Sequence, residues 1–176
     1  INAHNLNFTA TGYTLTGSTL TLGGASPTIT TGSAVTTTVD STLGGSSGLI
    51  KSGTGTLILT AANTNFSGVT TITSGVLQIN NVNALGTSIA AADLVLNKGS
   101  TFYFNVDSAH NYTLMGNSVS VAGGANTWSG SPTLTASTIL NLTGALGTLS
   151  GNMADTGNNV LTVVRNGTNR MILSGN

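Results

Sequence analysis

Residues 48–59 read Gly-Leu-Ile-Lys-Ser-Gly-Thr-Gly-Thr-Leu-Ile-Leu. The run ends in an alternating stretch in which Leu57 and Leu59 fall on one face, because successive side chains of a β-strand point to opposite sides. Gly53 and Gly55 come just before it, and glycine clusters mark turns. A short strand next to a glycine-rich turn is the unit that recurs along the chain.

The same alternation appears wherever apolar residues cluster, in runs of about four to six residues bounded by Gly, Asn or Ser. The clearest runs are 19–22, 93–97, 101–106 and 118–121. Segment 89–92 has helix character but is too short to form a helix in water. The sequence therefore predicts an all-β protein with essentially no helix. We expect the following residues to point inward: Leu57, Leu59, Leu77, Ile79, Leu94 and Leu96. We expect the following to point outward: Thr56, Thr60, Gln78 and Asn97.

The composition is unusual in its lack of charge. Of 176 residues, 5% are charged and the formal net charge is zero, whereas roughly a quarter of the residues in an average soluble domain are charged. This excludes the basic face expected of a nucleic-acid-binding protein and the polybasic patch of a protein that docks on anionic lipid. No apolar run is long enough for a membrane-spanning helix, so we expect no direct membrane insertion. The chain begins at Ile1 without a signal peptide, which indicates a piece of a longer protein.

Three segments recur in the same order. Residues 13–17 return at 112–116, residues 26–30 return at 131–135, and the segment that begins at Lys51 returns at Arg165. We interpret the chain as one solenoid segment, 1–176, with a first internal copy at 1–98 and a second, incomplete copy at 99–176.

Short strands at regular spacing within such repeats favour a parallel β-solenoid. Inward Leu, Ile and Val then stack in apolar columns, and outward Thr, Ser and Asn form polar ladders. Sparse charge is consistent with this architecture, because like charges repeated in successive coils about 4.8 Å apart would repel each other. Coils of about 20 to 25 residues predict about seven to nine coils.

The stretch from residue 48 to residue 79 resembles the passenger-associated, or autotransporter-associated, β-strand repeat. The residues that match its pattern are Gly48, Leu49, Lys51, Gly53, Gly55, Thr56, Leu57, Leu59, Asn63, Gly68, Thr70, Ile72, Gly75 and Leu77. In the second copy Arg165 replaces the lysine, and Asn169 stands where Gly55 would be. The resemblance implies a right-handed β-helix from a bacterial autotransporter passenger, at the cell surface or secreted. It implies no particular activity, because such passengers include adhesins and structural stalks.

The residues offer little for catalysis. His4 and His110 each lie in an Ala-His-Asn sequence, and a histidine copied with a repeat is more simply structural. Asp107, Ser108 and His110 superficially suggest a triad, but triads are recognised by geometry and not by sequence neighbourhood. The four Asp are scattered, and no calcium-binding Gly-Gly-x-Gly-x-Asp repeat or His/Cys cluster occurs. We therefore expect no catalytic residue, no cofactor and no metal.

Two side chains remain as candidates for contact with other groups. Lys51 is central to the repeat motif, and its return as Arg165 favours a cation that lies over apolar surface or pairs with a carbonyl at a coil corner. Trp128, the sole tryptophan, is a candidate sugar contact, although a partly buried loop anchor is the favoured interpretation.

These observations predict an extracellular structural or adhesive module without catalysis. The alternatives are a carbohydrate-active β-helix enzyme whose catalytic part lies elsewhere and a subunit of a fibre joined end to end. The partners expected are host or neighbouring-cell surface glycans or proteins. End-to-end self-association is also expected, because the chain stops at Asn176 inside a motif and leaves a strand edge unpaired.

Overall fold

A computed structural model describes residues 1–87, 93–124, 126–144, 148–166 and 172–173; the side chains of 117–119, 144, 166, 172 and 173 are not described. The regular structure in these ranges consists of 23 strands without a helix. The all-β prediction is confirmed, and segment 89–92 lies outside the described residues. The strand pairs within each sheet are parallel and join successive coils. The predicted parallel β-solenoid is therefore confirmed.

Two eight-stranded sheets form the long sides of the solenoid. Sheet B contains β2 (Asn5–Phe8), β5 (Thr28–Thr31), β8 (Leu49–Ser52), β11 (Thr70–Ile72), β13 (Leu94–Asn97), β15 (Tyr112–Met115), β18 (Pro132–Leu134) and β21 (Ala154–Asp155). Sheet C contains β3 (Tyr13–Leu15), β6 (Thr36–Val39), β9 (Thr56–Leu59), β12 (Gly75–Ile79), β14 (Ser100–Phe104), β16 (Asn117–Gly123), β19 (Thr138–Gly144) and β22 (Leu161–Asn166). Each coil contributes one strand to each of these two long sheets, so the eight strands of each sheet match the predicted seven to nine coils.

Two shorter sheets lie on the third side. Sheet A belongs to the first half of the chain and contains β1 (Asn2–Ala3), β4 (Leu20–Leu22), β7 (Leu43–Gly45) and β10 (Asn65–Phe66). Sheet D belongs to the second half and contains β17 (Thr127–Trp128), β20 (Thr148–Leu149) and β23 (Ile172–Leu173). The third side thus changes its strands partway along the solenoid.

The core consists of columns of side chains that run along the axis. In sheet C one column passes through Leu57, Leu77, Phe102, Val121 and Leu142, which are register partners in successive coils and are all buried. The six residues predicted to point inward are fully buried, and the four predicted to point outward are partly exposed. Both sets of predictions are confirmed. The strand period of two determines which face each residue takes.

Three threonines depart from the expected pattern of outward hydroxyls. Thr31, Thr37 and Thr70 are buried in the inward columns, and within the described part of the chain their hydroxyls lack a hydrogen-bond partner. Thr37, for example, is the register partner of Leu57. A β-branched threonine has nearly the shape of valine, so it fills the column at the cost of a buried hydroxyl.

Coil length varies more than the sequence indicated, from 18 residues between Leu94 and Tyr112 to 25 between Leu77 and Phe102. The recurring segments accordingly take different places. The segments that begin at Thr28 and Pro132 both lie in sheet B, whereas Tyr13–Leu15 lies in sheet C and its sequence counterpart Tyr112–Met115 lies in sheet B. The division into copies at 1–98 and 99–176 remains a prediction.

Candidate functional site

The motif residues lie on four strands of two successive coils and on the corners next to them. Leu49 and Lys51 are in β8; Thr56, Leu57 and Leu59 are in β9; Thr70 and Ile72 are in β11; Gly75 and Leu77 are in β12; and Gly48, Gly53, Gly55, Asn63 and Gly68 lie in the corners between strands. Their geometry shows what each contributes.

Glycines stack at the corner between sheets B and C because backbones of neighbouring coils approach closely there. A Cβ atom on Gly55 would clash with the carbonyl oxygens of Gly32 and Val35 in the preceding coil. A Cβ atom on Gly75, one coil further on, would clash with the carbonyl oxygens of Gly53 and Gly55. The motif glycines at this corner are therefore required by space.

Lys51 is buried in an inward column of sheet B, between its register partners Ile29 and Ile72. Its Nζ atom donates hydrogen bonds to the carbonyl oxygens of Ser52 and Gly53, both at 2.8 Å, and of Ser74 at 3.2 Å. Burial lowers the pKa of the amine to about 8. The predicted pairing of this cation with corner carbonyls matches the geometry, since the side chain bridges two coils.

Asn63 performs a similar task at the corner before sheet A. The side chain is buried, its Oδ1 accepts a hydrogen bond from the Leu43 N–H at 2.7 Å, and its Nδ2 donates to the Ala84 carbonyl at 2.7 Å. One amide thus satisfies backbone groups in the coil before it and the coil after it. A buried backbone group without such a partner would be costly, so Asn63 stabilises the corner.

Trp128 lies on β17 and is fully buried. Its ring is stacked on Tyr112 with centroids 3.7 Å apart and contacts Phe102 and Phe104 at 5.1 and 5.6 Å. Its Nε1–H donates to the His110 carbonyl at 2.8 Å. A ring without exposed surface has no face to offer to a sugar, so the geometry favours a buried anchor.

The two histidines occupy unlike environments. The ring Nε2 of His4 is hydrogen-bonded to the Ala25 carbonyl oxygen at 2.8 Å in an exposed corner. His110 is buried, and its Nδ1 lies 3.6 Å from Oδ2 of Asp93. Burial raises the pKa of the Asp93 carboxyl, and the nearby His110 opposes that shift. Sequence spacing did not reveal this pair, because its members meet only through the stacking of neighbouring coils.

The superficial triad is not assembled around His110. The Oδ1 atom of Asp107 accepts a hydrogen bond from the Thr127 N–H at 2.7 Å. Ser108 is buried and bridges to Trp128 in the next coil. Among the described residues, no three His, Asp or other ligand-type side chains come together to hold a metal ion. The same described residues contain no helix that is long and apolar enough to cross a membrane.

Along sheet B, several threonine hydroxyls on the strands or just after them bond to the fold itself. The Thr30 and Ser52 hydroxyls lie 2.7 Å apart, and Thr73 donates to the Lys51 carbonyl at 3.0 Å. Thr135 and Thr156 donate in the same way to the carbonyls of Leu114 and Leu134. These contacts tie each coil to the one before it.

The outer face of sheet C ends in a row of polar side chains, one after each of four strands. We call Asp40, Thr60, Asn80 and Asn105 the polar row. Thr60 donates to Asp40 Oδ1 at 2.5 Å, and Asn105 Nδ2 donates to Asn80 Oδ1 at 3.0 Å. Sequence reasoning missed the row, although its members recur at intervals of 20 to 25 residues.

Comparison with known proteins identifies the motif and one relative. Residues 49–79 match the family model of the passenger-associated-transport-repeat. The chain is 47% identical over 119 residues, 68% of its length, to the adhesin BmaC autotransporter of Brucella suis biovar 1 (strain 1330). The matched region spans 3% of that relative. No solved structure shows a significant match to the chain.

The matched repeat is the segment whose glycines, lysine and asparagine join one coil to the next. The motif that matches the family model is therefore the one that builds the solenoid. The chain carries the repeat of autotransporter passengers, and it is an extracellular β-solenoid segment of the bacterial surface or its secretions.

Proposed function

We propose that this segment is a structural and adhesive module that holds a surface of its solenoid against host or neighbouring-cell glycans or proteins. The observation that carries the proposal is the 47% identity to an autotransporter that is named as an adhesin. The segment spans 3% of that relative. Adhesion by these residues is therefore a hypothesis about this segment alone.

The chemistry of the outer faces supports attachment. Parallel stacking repeats polar side chains along the axis, so the outer faces form a continuous and nearly uncharged surface. Such a surface binds through many weak contacts, and avidity along a long passenger then multiplies each of them.

Display on the surface of non-adherent bacteria tests the proposal. Cells that carry the chain on an outer-membrane anchor should attach to cultured epithelial cells several-fold more than cells that carry the anchor alone. Display of Leu59→Asp, which should not fold, is the matched control and should lose the gain. Equal attachment by anchor-only cells and chain-bearing cells would contradict the adhesive role.

We infer further that the segment itself is not an enzyme. A carbohydrate-active β-helix needs paired carboxylates close enough to act on one bond. Asp40 bonds to Thr60 and Asp107 to a backbone N–H, which are structural uses of two of the four carboxylates. Incubation with uronic-acid and neutral polysaccharides should release no reducing ends, whereas release that is lost in Asp93→Asn would support the enzyme alternative.

End-to-end association of separate copies is a second hypothesis. Exposed edges of parallel sheets template further strands, and the polar ladders of one copy could continue into the next. Sedimentation of the purified chain across a tenfold range of micromolar concentrations should show concentration-dependent oligomers. A clean monomer throughout that range would count against this hypothesis.

A further inference from the structure

One aromatic side chain is placed differently from the other seven. Tyr103 lies in β14 between the buried Phe102 and Phe104, so the strand period turns its ring to the outer face of sheet C. The remaining aromatic residues lie in inward columns or in the corner strands β10 and β17. Tyr103 is therefore the aromatic ring that the solenoid offers on an outer face.

Amide side chains lie beside this ring on the same face. Gln78 is the register partner of Tyr103 in the preceding coil. Its Nε2 donates to Asn80 Oδ1 at 2.9 Å, and Asn105 donates to the same oxygen at 3.0 Å. The three amides thus hold one another in fixed orientations beside Tyr103.

The amide network leaves several hydrogen-bonding atoms available. Asn80 Nδ2, Gln78 Oε1, Asn105 Oδ1 and the Tyr103 hydroxyl have no partner among the residues that the structure describes. They comprise donors and acceptors around an aromatic face. After two strands of sheet B, by contrast, the Thr73 and Thr135 hydroxyls donate to carbonyls of the preceding coil.

The charge of the outer face of sheet C limits the class of ligand that this face can bind. In β6, β9, β12 and β14 and the residue that follows each strand, Asp40 is the one charged side chain. Without a cation, this surface does not favour a sulfated or phosphorylated ligand, and the single carboxylate opposes one. A basic protein partner would in turn find only one anion to pair with.

We infer that the outer face of sheet C, centred on Tyr103 with Gln78, Asn80 and Asn105, is a binding site for a neutral glycan. The weakly positive C–H face of a sugar ring packs against the negative face of an aromatic ring. Adjacent sugar hydroxyls, which both donate and accept, match fixed amides at its edge. The inference rests on the proposed adhesive function and names its ligand class.

Binding of immobilised oligosaccharides by the purified chain tests the site, with neutral β-linked glucan and lactosamine hexasaccharides and heparin as probes. At least one neutral hexasaccharide should bind, and heparin should not. Tyr103→Ala should weaken binding at least tenfold, whereas Tyr103→Phe, which keeps the ring, should weaken it less. Gln78→Ala should also weaken it.

Matched controls separate the site from general effects on the fold. Tyr13→Ala removes a more exposed tyrosine from the first coil, and Thr71→Ala changes the outer face of sheet B; both should bind as the unmodified chain does. Each variant should keep the melting temperature of the unmodified chain to within a few degrees. A Tyr103→Ala chain that binds neutral glycan normally would overturn the inference.

Two further outcomes would overturn it without touching the adhesive proposal. The first is adhesion of the displayed chain to cells with no binding of any neutral hexasaccharide. The second is binding of heparin alone, which would place the ligand contacts on another surface. Loss of cell adhesion altogether, with neutral glycan still bound, would instead contradict the adhesive proposal and leave the site intact.

Discussion

The two halves of the solenoid fill their interiors differently. In the first half, the buried Lys51 sits in an apolar column and donates to three carbonyls, and Asn63 bridges two coils. In the second half, Trp128 packs on Tyr112 and two phenylalanines and donates to one carbonyl. Both sets of side chains fill the interior and form hydrogen bonds with backbone carbonyls. The fold therefore requires that the interior be filled and its backbone groups be paired, but it does not require one residue type.

The comparison also shows where each half is sensitive. The first half depends on the close approach of backbones at its glycine corners and on the buried polar side chains of Lys51 and Asn63. The second half depends on the volume of its buried aromatic rings. Because coils contact mainly their neighbours, damage in one half should remain partly confined to it.

The largest effect should come from a change in the inward columns, which the two halves share. Leu59→Asp places a carboxylate among fully buried leucines and should abolish folding, because the cost of an unpaired buried charge exceeds the stability of a typical domain. Ile58→Asp, one residue away on the outer face, is the control. Circular dichroism should show β-structure for Ile58→Asp and its loss for Leu59→Asp; loss for Ile58→Asp with normal melting of Leu59→Asp would mean that the faces are reversed.

A smaller effect should follow from removal of the aromatic anchor of the second half. Trp128→Ala should cost about 3 to 5 kcal/mol, because it leaves a large cavity beside Tyr112 and removes the donor to the His110 carbonyl. Trp128→Phe should cost less. Urea unfolding followed by hydrogen exchange should show loss of protection in the second half first. A uniform loss along the chain would remove the distinction between the halves.

The glycine corner of the first half should be the next most sensitive place. Gly55→Ala should destabilise the chain by about 1 to 3 kcal/mol, because its Cβ atom meets two carbonyl oxygens of the preceding coil. Gly23→Ala is the control, since a Cβ atom there meets nothing within 4 Å. Thermal melting of the two variants measures the difference, and equal midpoints would show that the corner relaxes freely.

The smallest effect concerns the pH dependence that Lys51 confers. In the folded state the Lys51 amine has a pKa of about 8, whereas in the unfolded state its pKa is about 10.4. The unfolded chain then binds more protons, so stability should rise with pH between 8 and 10. Lys51→Met should lack this rise in urea titrations. A parallel rise in Lys51→Met would mean that another group is responsible.

The fold could be predicted largely from local patterns. Strand alternation determines which residues face inward, and the repeat motif of residues 48–79 indicated the solenoid and the passenger-associated repeat. The contact of Lys51 with corner carbonyls was one of two alternatives that its return as Arg165 indicated, the other being a cation that lies over apolar surface. Arg165 itself lies in β22 of sheet C and not in sheet B.

What could not be predicted depends on the register between coils. The Asp93–His110 pair, the buried Thr37 and the amides around Tyr103 all arise when residues 17 to 25 positions apart become neighbours. Coil length varies because the corners vary, so a fixed period cannot assign these partners. Trp128 was misplaced on a loop for the same reason: its neighbours Phe102 and Tyr112 come from two different coils.

The central claim is that successive coils stack in parallel with a defined register, and a disulfide cross-link tests it most directly. The chain has no cysteine, and Ile58 and Gln78 are register partners on the outer face, about 4.8 Å apart and within disulfide reach. Mild oxidation of the Ile58→Cys, Gln78→Cys double variant should give rapid and complete cross-linking within one chain. The Ile58→Cys, Tyr103→Cys variant, two coils apart, should stay reduced. Cross-linking of the second pair but not of the first would contradict the solenoid.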